Sequence, residues 1–164
     1  LNQREAPELR RKLSKRMNNG IFIIAHAPLA HALRQCVLHV FPDVQDSVAV
    51  LDVQPNLSTE ETLRAARMTL EMLNKKQVLV LTDVFGATPC NVAQKLVDGV
   101  HSRLVAGVNL PMLLRAVTYR NQPLEAMVAC AVAGGSQGVI PVAVTTPQNQ
   151  QRKHHDQVHH DHQQ

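Results

Sequence analysis

The chain has 164 residues, 45% of them apolar, with three Phe, one Tyr and no Trp, which is enough for one domain with a real core and short for two. So few aromatic rings leave no stacking platform for single-stranded nucleic acid. The formal charge of +4 belongs entirely to residues 1–19, where Arg4, Arg10, Arg11, Lys12, Lys15 and Arg16 face only Glu5 and Glu8; from residue 20 onward bases and acids balance, so no basic patch for a nucleic acid is expected on the fold.

Three regions separate by composition. Residues 1–19 form a basic arm expected to be disordered or weakly helical, with Met17 a candidate translational start. Residues 20–146 form the domain. Residues 147–164 form a His-rich, low-complexity tail that cannot fold alone. Its five histidines offer imidazole ligands without preformed geometry, so no metal site is assigned. Cys36, Cys90 and Cys130 are odd in number and widely spaced, and read as buried thiols in a reducing compartment. No apolar run reaches the ~18 residues of a membrane span, and no secretory h-region is evident. A cytoplasmic location is expected.

Within the domain, residues 21–25 (IFIIA) read as a first strand. From Pro28, placed near the first helical position, Leu29, Leu33, Cys36, Val37 and Val40 recur at helical spacing until Pro42 closes the segment. Residues 48–53 are a second strand. Ser58 and Glu61 have capping-box spacing, and Leu63, Ala66, Leu70 and Leu73 give the next helix its buried stripe. Residues 78–82 are continuously apolar to Thr82, as in a strand covered on both faces. Thr88 is expected at the N-cap of a helix running from Pro89 to about Asp98. A fourth strand is predicted over 104–108, helices over 112–119 and 124–133, a glycine-rich break over 134–138 and a last short strand over 139–144.

Alternating strands and helices predict an α/β, doubly wound, mostly parallel sheet with helices on both faces. Its strand-to-helix turns then share the carboxyl edge, where ligands gather at the point of strand-order reversal. Two turns bring reactive groups there: Ala25-His26-Ala27-Pro28 after strand one, and residues 83–91 (DVFGATPCN) after strand three. With strand order 2-1-3-4, His26 and Asp83 are neighbours. A carboxylate on one imidazole nitrogen fixes the tautomer and leaves the other nitrogen nucleophilic, which reversible histidine phosphorylation requires. Neither turn holds Lys or Arg, so Gly86, Ala87 and Thr88, leading into a helix N-terminus, are the expected phosphate-binding donors. His31 and His39 fall on the polar side of the first helix, where solvent exposure is expected. Cys90 has no accompanying base, and no dinucleotide or Walker loop is present.

These motifs carry a resemblance. Residues 20–26 (GIFIIAH), 82–91 (TDVFGATPCN) and 106–113 (AGVNLPML), in this order, are similar to the enzyme IIA component of the mannose family of the bacterial phosphoenolpyruvate-dependent sugar phosphotransferase system. The resemblance covers about residues 20–144. It implies a homodimer that exchanges a C-terminal strand, with Gly134, Gly135 and Gly138 as a hinge. It also implies that His26 takes phosphate from phospho-HPr and that Asp83 orients its ring. The phosphate then passes to a IIB component or serves as a regulatory signal, with membrane contact only indirect, through transporter subunits. Phe85, Asn109, Leu110, Pro111 and Met112 are the expected partner-binding residues, and no cofactor is expected. Ala27 and Ala87 stand where the family usually has glycine, and Cys90 where an aromatic often follows the Pro. Those departures keep a second reading open, a non-catalytic dimeric interaction module. A third reading is the phosphohistidine subunit of a dihydroxyacetone kinase.

Overall fold

The computed structural model describes residues 18–143. Nearly all of the basic arm and all of the His-rich tail therefore lie outside the described residues, as does Val144. In chain order the elements are β1 (Gly20–His26), α1 (Leu29–Val40), a short 3-10 turn (Pro42–Ser47), β2 (Val48–Val53), α2 (Thr59–Leu73), β3 (Val78–Thr82), α3 (Thr88–Gln94), β4 (Ser102–Ala106), α4 (Leu110–Thr118) and α5 (Leu124–Gln137). The four strands are all parallel and ordered β2-β1-β3-β4, as alternation and the reactive turns imply.

The central strands explain the two-layer packing. Side chains alternate across a strand, and β1 and β3 are apolar at consecutive positions, so both sheet faces demand cover. Ile21, Ile23 and Ala25 of β1, with Leu79 and Leu81 of β3, pack beneath α1, α4 and α5. Phe22 and Ile24, with Val78 and Val80, pack beneath α2 and α3. The α2 stripe read from sequence closes this second layer: Ala66 is buried, and Leu63, Leu70 and Leu73 pack around it. Ser58 and Glu61 form the expected capping box. Asn74, in left-handed conformation at φ 47°, ends the helix.

Several boundaries differ for identifiable reasons. Strand β4 occupies Ser102–Ala106, two residues before its predicted place, because Gly107 at φ 87° turns the chain and Val108 N–H already donates to Thr82 O at 2.9 Å. Helix α4 starts at Leu110, since Asn109 Oδ1 accepts the Met112 N–H at 2.9 Å and caps it. Helix α3 stops at Gln94, well short of Asp98. Cys36 is exposed and Cys130 half-buried; Cys90 alone of the three is buried.

The largest correction concerns the glycines near the C-terminus. The chain does not break at Gly134; α5 continues through it to Gln137. Both Gly134 and Gly135 are buried, because α4 and α5 approach too closely for side chains. A Cβ on Gly134 would stand 3.0 Å from Arg115 Cβ and 3.2 Å from Pro111 O. Asn109 Nδ2 donates to Gly135 O at 3.1 Å across the same contact. Beyond the helix, residues 139–143 form no strand in this single chain. Val139, Ile140 and Val142 there are 78%, 69% and 83% exposed, while β4 has no partner on its outer side among the described residues. No helix among the described residues is long and apolar enough to cross a membrane.

The close α4–α5 contact makes a specific demand. Gly134→Ala should lower unfolding stability by about 1–3 kcal/mol, the usual range for overpacking a close contact, despite alanine's better helix propensity. Urea denaturation measures this; a stabilised variant would show that the helices separate freely.

Candidate active site

The site is built where β1 and β3 end side by side. In their pairing Ile24 stands opposite Thr82, so each chain's next residues reach the carboxyl edge together. His26 closes β1 as its last and only exposed residue. Asp83 follows β3 directly. His26 Nδ1 lies 2.7 Å from Asp83 Oδ2, and the His26 backbone N–H donates to the same oxygen at 3.0 Å. One carboxylate oxygen therefore grips both the ring and the backbone of the histidine. The second oxygen, Oδ1, accepts the Val84 N–H at 2.8 Å, which holds the carboxylate plane.

This geometry assigns the ring's protons. An ionised carboxylate can only accept, so in the neutral imidazole Nδ1 of His26 carries the hydrogen and Nε2 the lone pair. Burial works to raise the Asp83 carboxyl, but the hydrogen bonds from His26 backbone and ring and from Val84 outweigh it, holding the group below its ordinary range. The asymmetry of exposure is chemically useful: the histidine side chain is 53% accessible and the aspartate 9%. The nucleophile faces solvent while its orienting charge is shielded. A cleft of 340 Å³ adjoins it, lined by His26, Ala27 and Thr88 with Val53 at the end of β2 and Gln54, Pro55 and Leu57 of the turn that follows.

The expected phosphate-binding loop sits beside the dyad in a slightly different register. Ala87, not Thr88, holds the N-cap position, and no side chain caps α3; Thr88 is the first helical residue. Gly86 adopts φ 81°, a left-handed conformation disfavoured for residues with a Cβ, and Asn91 Nδ2 donates to Gly86 O at 3.1 Å, bracing the turn. Gly107 N–H donates to Asp83 O at 3.0 Å, so the turn before α4 buttresses Asp83 from the far side. Of the residues expected to meet a partner, Phe85 is 78% exposed, with Val84 beside it at 56%. Asn109, Leu110 and Pro111 are half-buried, and Met112 is buried in the core at 5%. His31 and His39 are exposed, as their helical phase predicts.

One functional candidate escaped the sequence reading. Asp52, near the end of β2, pairs with His31 on the same sheet edge, at 2.6 Å between Oδ2 and Nδ1. The signal was present: an acid near a strand's carboxyl end, beside β1, has the same address as Asp83. Among the described residues no group of three or more His, Cys, Asp or Glu is placed to hold a metal ion.

Comparison with known proteins shows the family and the fold. Residues 20–133 match the family described as PTS system fructose IIA component, of mannose type. The PTS system mannose-specific EIIAB component of Escherichia coli (strain K12) is 34% identical over 99 residues, covering 58% of this chain and 31% of that protein. The chain thus spans under a third of that relative's length. The PTS system sorbose-specific EIIA component of Lacticaseibacillus casei is 28% identical over 111 residues, 66% of this chain and 80% of that protein. Among solved structures, phosphotransferase system component EIIA from Streptococcus agalactiae superposes with TM-score 0.65 at 25% identity, covering 74% of this chain and 95% of its own. The mannose/sorbose specific IIA subunit from Enterococcus faecalis gives TM-score 0.69 at 23% identity, over 79% and 98% respectively, and supports the fold.

The lowered Asp83 carboxyl has a pH consequence. A folded-state value below the unfolded one, about 3.9, gives stability that is present above that pH and lost as pH falls through the folded value. Asp83→Asn should therefore cost about 1–2 kcal/mol at pH 7, with the gap closing towards pH 3. Urea midpoints of both proteins at the two pH values test this; a gap independent of pH would contradict it.

Proposed function

This chain belongs to the mannose-type IIA components of the phosphotransferase system, and from that premise we propose that it is a phosphoryl carrier with His26 as its covalent acceptor. The observation that carries the reading is the dyad: Asp83 holds Nδ1 at 2.7 Å, leaving Nε2 beside an open cleft. Attack by Nε2 on a phosphohistidine donor forms one N–P bond as the donor's breaks. The donor imidazole leaves neutral, keeping the proton on its other nitrogen. The positive charge gained by the His26 ring is offset by Asp83. This is group transfer between nearly equivalent bonds, so positioning and electrostatics supply the catalysis.

Phospho-HPr is the proposed donor, and a IIB component or a regulatory target the proposed acceptor. The exposed Phe85 and Val84 form the apolar part of the docking surface, with Asn109, Leu110, Pro111 and Met112 holding the turn behind it. Gly86, Ala87 and Thr88 supply neutral phosphate donors in place of a cation. The active assembly is proposed as a homodimer in which the segment from Val139 pairs along the open edge of β4 in a second copy, covering the side chains of Val139, Ile140 and Val142. Its place of action is the cytoplasm, where phosphoenolpyruvate-driven donors reside.

Incubation with phosphoenolpyruvate, enzyme I and HPr tests the carrier. Wild type should gain one acid-labile phosphate, and His26→Ala none over the same interval. Asp83→Asn should react at least about tenfold more slowly, equivalent to ~1.4 kcal/mol of barrier, because an amide can stabilise the wrong tautomer. A folded wild type that takes no phosphate would leave the interaction-module reading in its place. Light scattering measures the assembly: deletion of residues 139–164 should convert dimer to monomer.

A further inference from the structure

The carboxyl edge of the sheet carries a second histidine–aspartate pair built like the first. His31, in the first turn of α1, has Nδ1 2.6 Å from Asp52 Oδ2. The backbone N–H groups of Ala30 and His31 donate to Asp52 Oδ1 at 2.9 and 3.3 Å. In both pairs an acid at a strand's end takes the backbone N–H and the ring of one histidine. The exposures match as well: 61% for the His31 side chain and 13% for Asp52, against 53% and 9% at the first site.

Helix capping accounts for only half of this arrangement. Pro28 at the N-cap of α1 makes no side-chain cap, so Asp52 Oδ1 takes that role from the neighbouring strand. The ring bond uses the other oxygen and caps nothing. Its effect is to place the hydrogen on Nδ1 and turn a lone pair on Nε2 towards solvent. The two pairs also lie on opposite faces of the edge. His26 continues the β1 alternation of Phe22 and Ile24 towards α2 and α3, whereas Asp52 continues that of Val48 and Val50 towards α1, α4 and α5.

We propose that His31 is a second phosphoryl acceptor, taking a phosphoryl group on Nε2 from a phosphorus–nitrogen donor, either a protein phosphohistidine or a phosphoramidate. For its chemistry the proposal rests on the carrier reading of His26. The donor's N–P bond breaks as the Nε2–P bond forms. The donor nitrogen leaves with a proton already on it or taken from water, and Asp52 offsets the charge gained by the His31 ring.

The full chain treated with phosphoramidate alone, with sites mapped by tandem mass spectrometry at alkaline pH, tests this. His39 is the internal reference: it is exposed on the same helix and has no carboxylate at ion-pair distance among the described residues. His31 should label at least tenfold faster than His39 in wild type and in His26→Ala, and that peptide should lose its label in His26→Ala/His31→Ala. Asp52→Asn keeps an oxygen for the helix cap but reverses the ring's partner. It should cut His31 labelling at least tenfold while leaving the far-ultraviolet circular dichroism of the folded chain unchanged. Labelling of His31 at the His39 rate overturns the proposal. If His26 still labels fast, the carrier reading survives alone; if both match His39, both readings fall; fast labelling of His31 alone removes only the carrier reading.

Discussion

The hydrogen bond between the His26 ring and the Asp83 carboxylate depends on a neighbour relation, not on local sequence. Fifty-seven positions separate the two residues, and they meet because β1 pairs in parallel with β3 and both strands end at the same edge. A crossover connection sends the chain through α1, β2 and α2 before it returns to β3. The chemistry proposed for His26 inherits from that pairing. The ring could not hold one tautomer if β3 slipped by a residue, because Asp83 would then no longer stand beside the end of β1.

Around that bond the fold uses backbone donors to fix charge. Asp83 is gripped by two backbone N–H groups and one ring nitrogen, and its own carbonyl by Gly107. Side-chain cations are absent from both turns. Under the proposed carrier function, a dianionic group would meet fixed donors here without a cation that attracts anions at large. Fixed dipoles need no reorganisation when charge arrives.

The other end of the chain shows an opposite economy. Helices α4 and α5 are drawn together until only glycine fits at Gly134, which ties the Asn109 turn to the body of the domain. After Gln137 the apolar side chains of Val139, Ile140 and Val142 find no cover among the described residues. This exposed apolar segment is the one proposed above to pair with a second copy.

Much of this was legible in sequence because it is local or periodic. Strands β2 and β3, the capping box at Ser58 and the α2 stripe follow from spacing alone, and two apolar central strands force cover on both faces. The parallel order follows once helices alternate with strands. What spacing could not decide were the contacts set by tertiary approach. Gly134 and Gly135 look like a break in sequence, yet packing against α4 holds them helical. Ala87 rather than Thr88 takes the α3 cap, since the turn's geometry around Gly86 sets the first helical residue. Asp52 reads as one more strand position until folding lays β2 against the start of α1. Periodicity records which face a side chain leaves; only the packed structure determines what waits there.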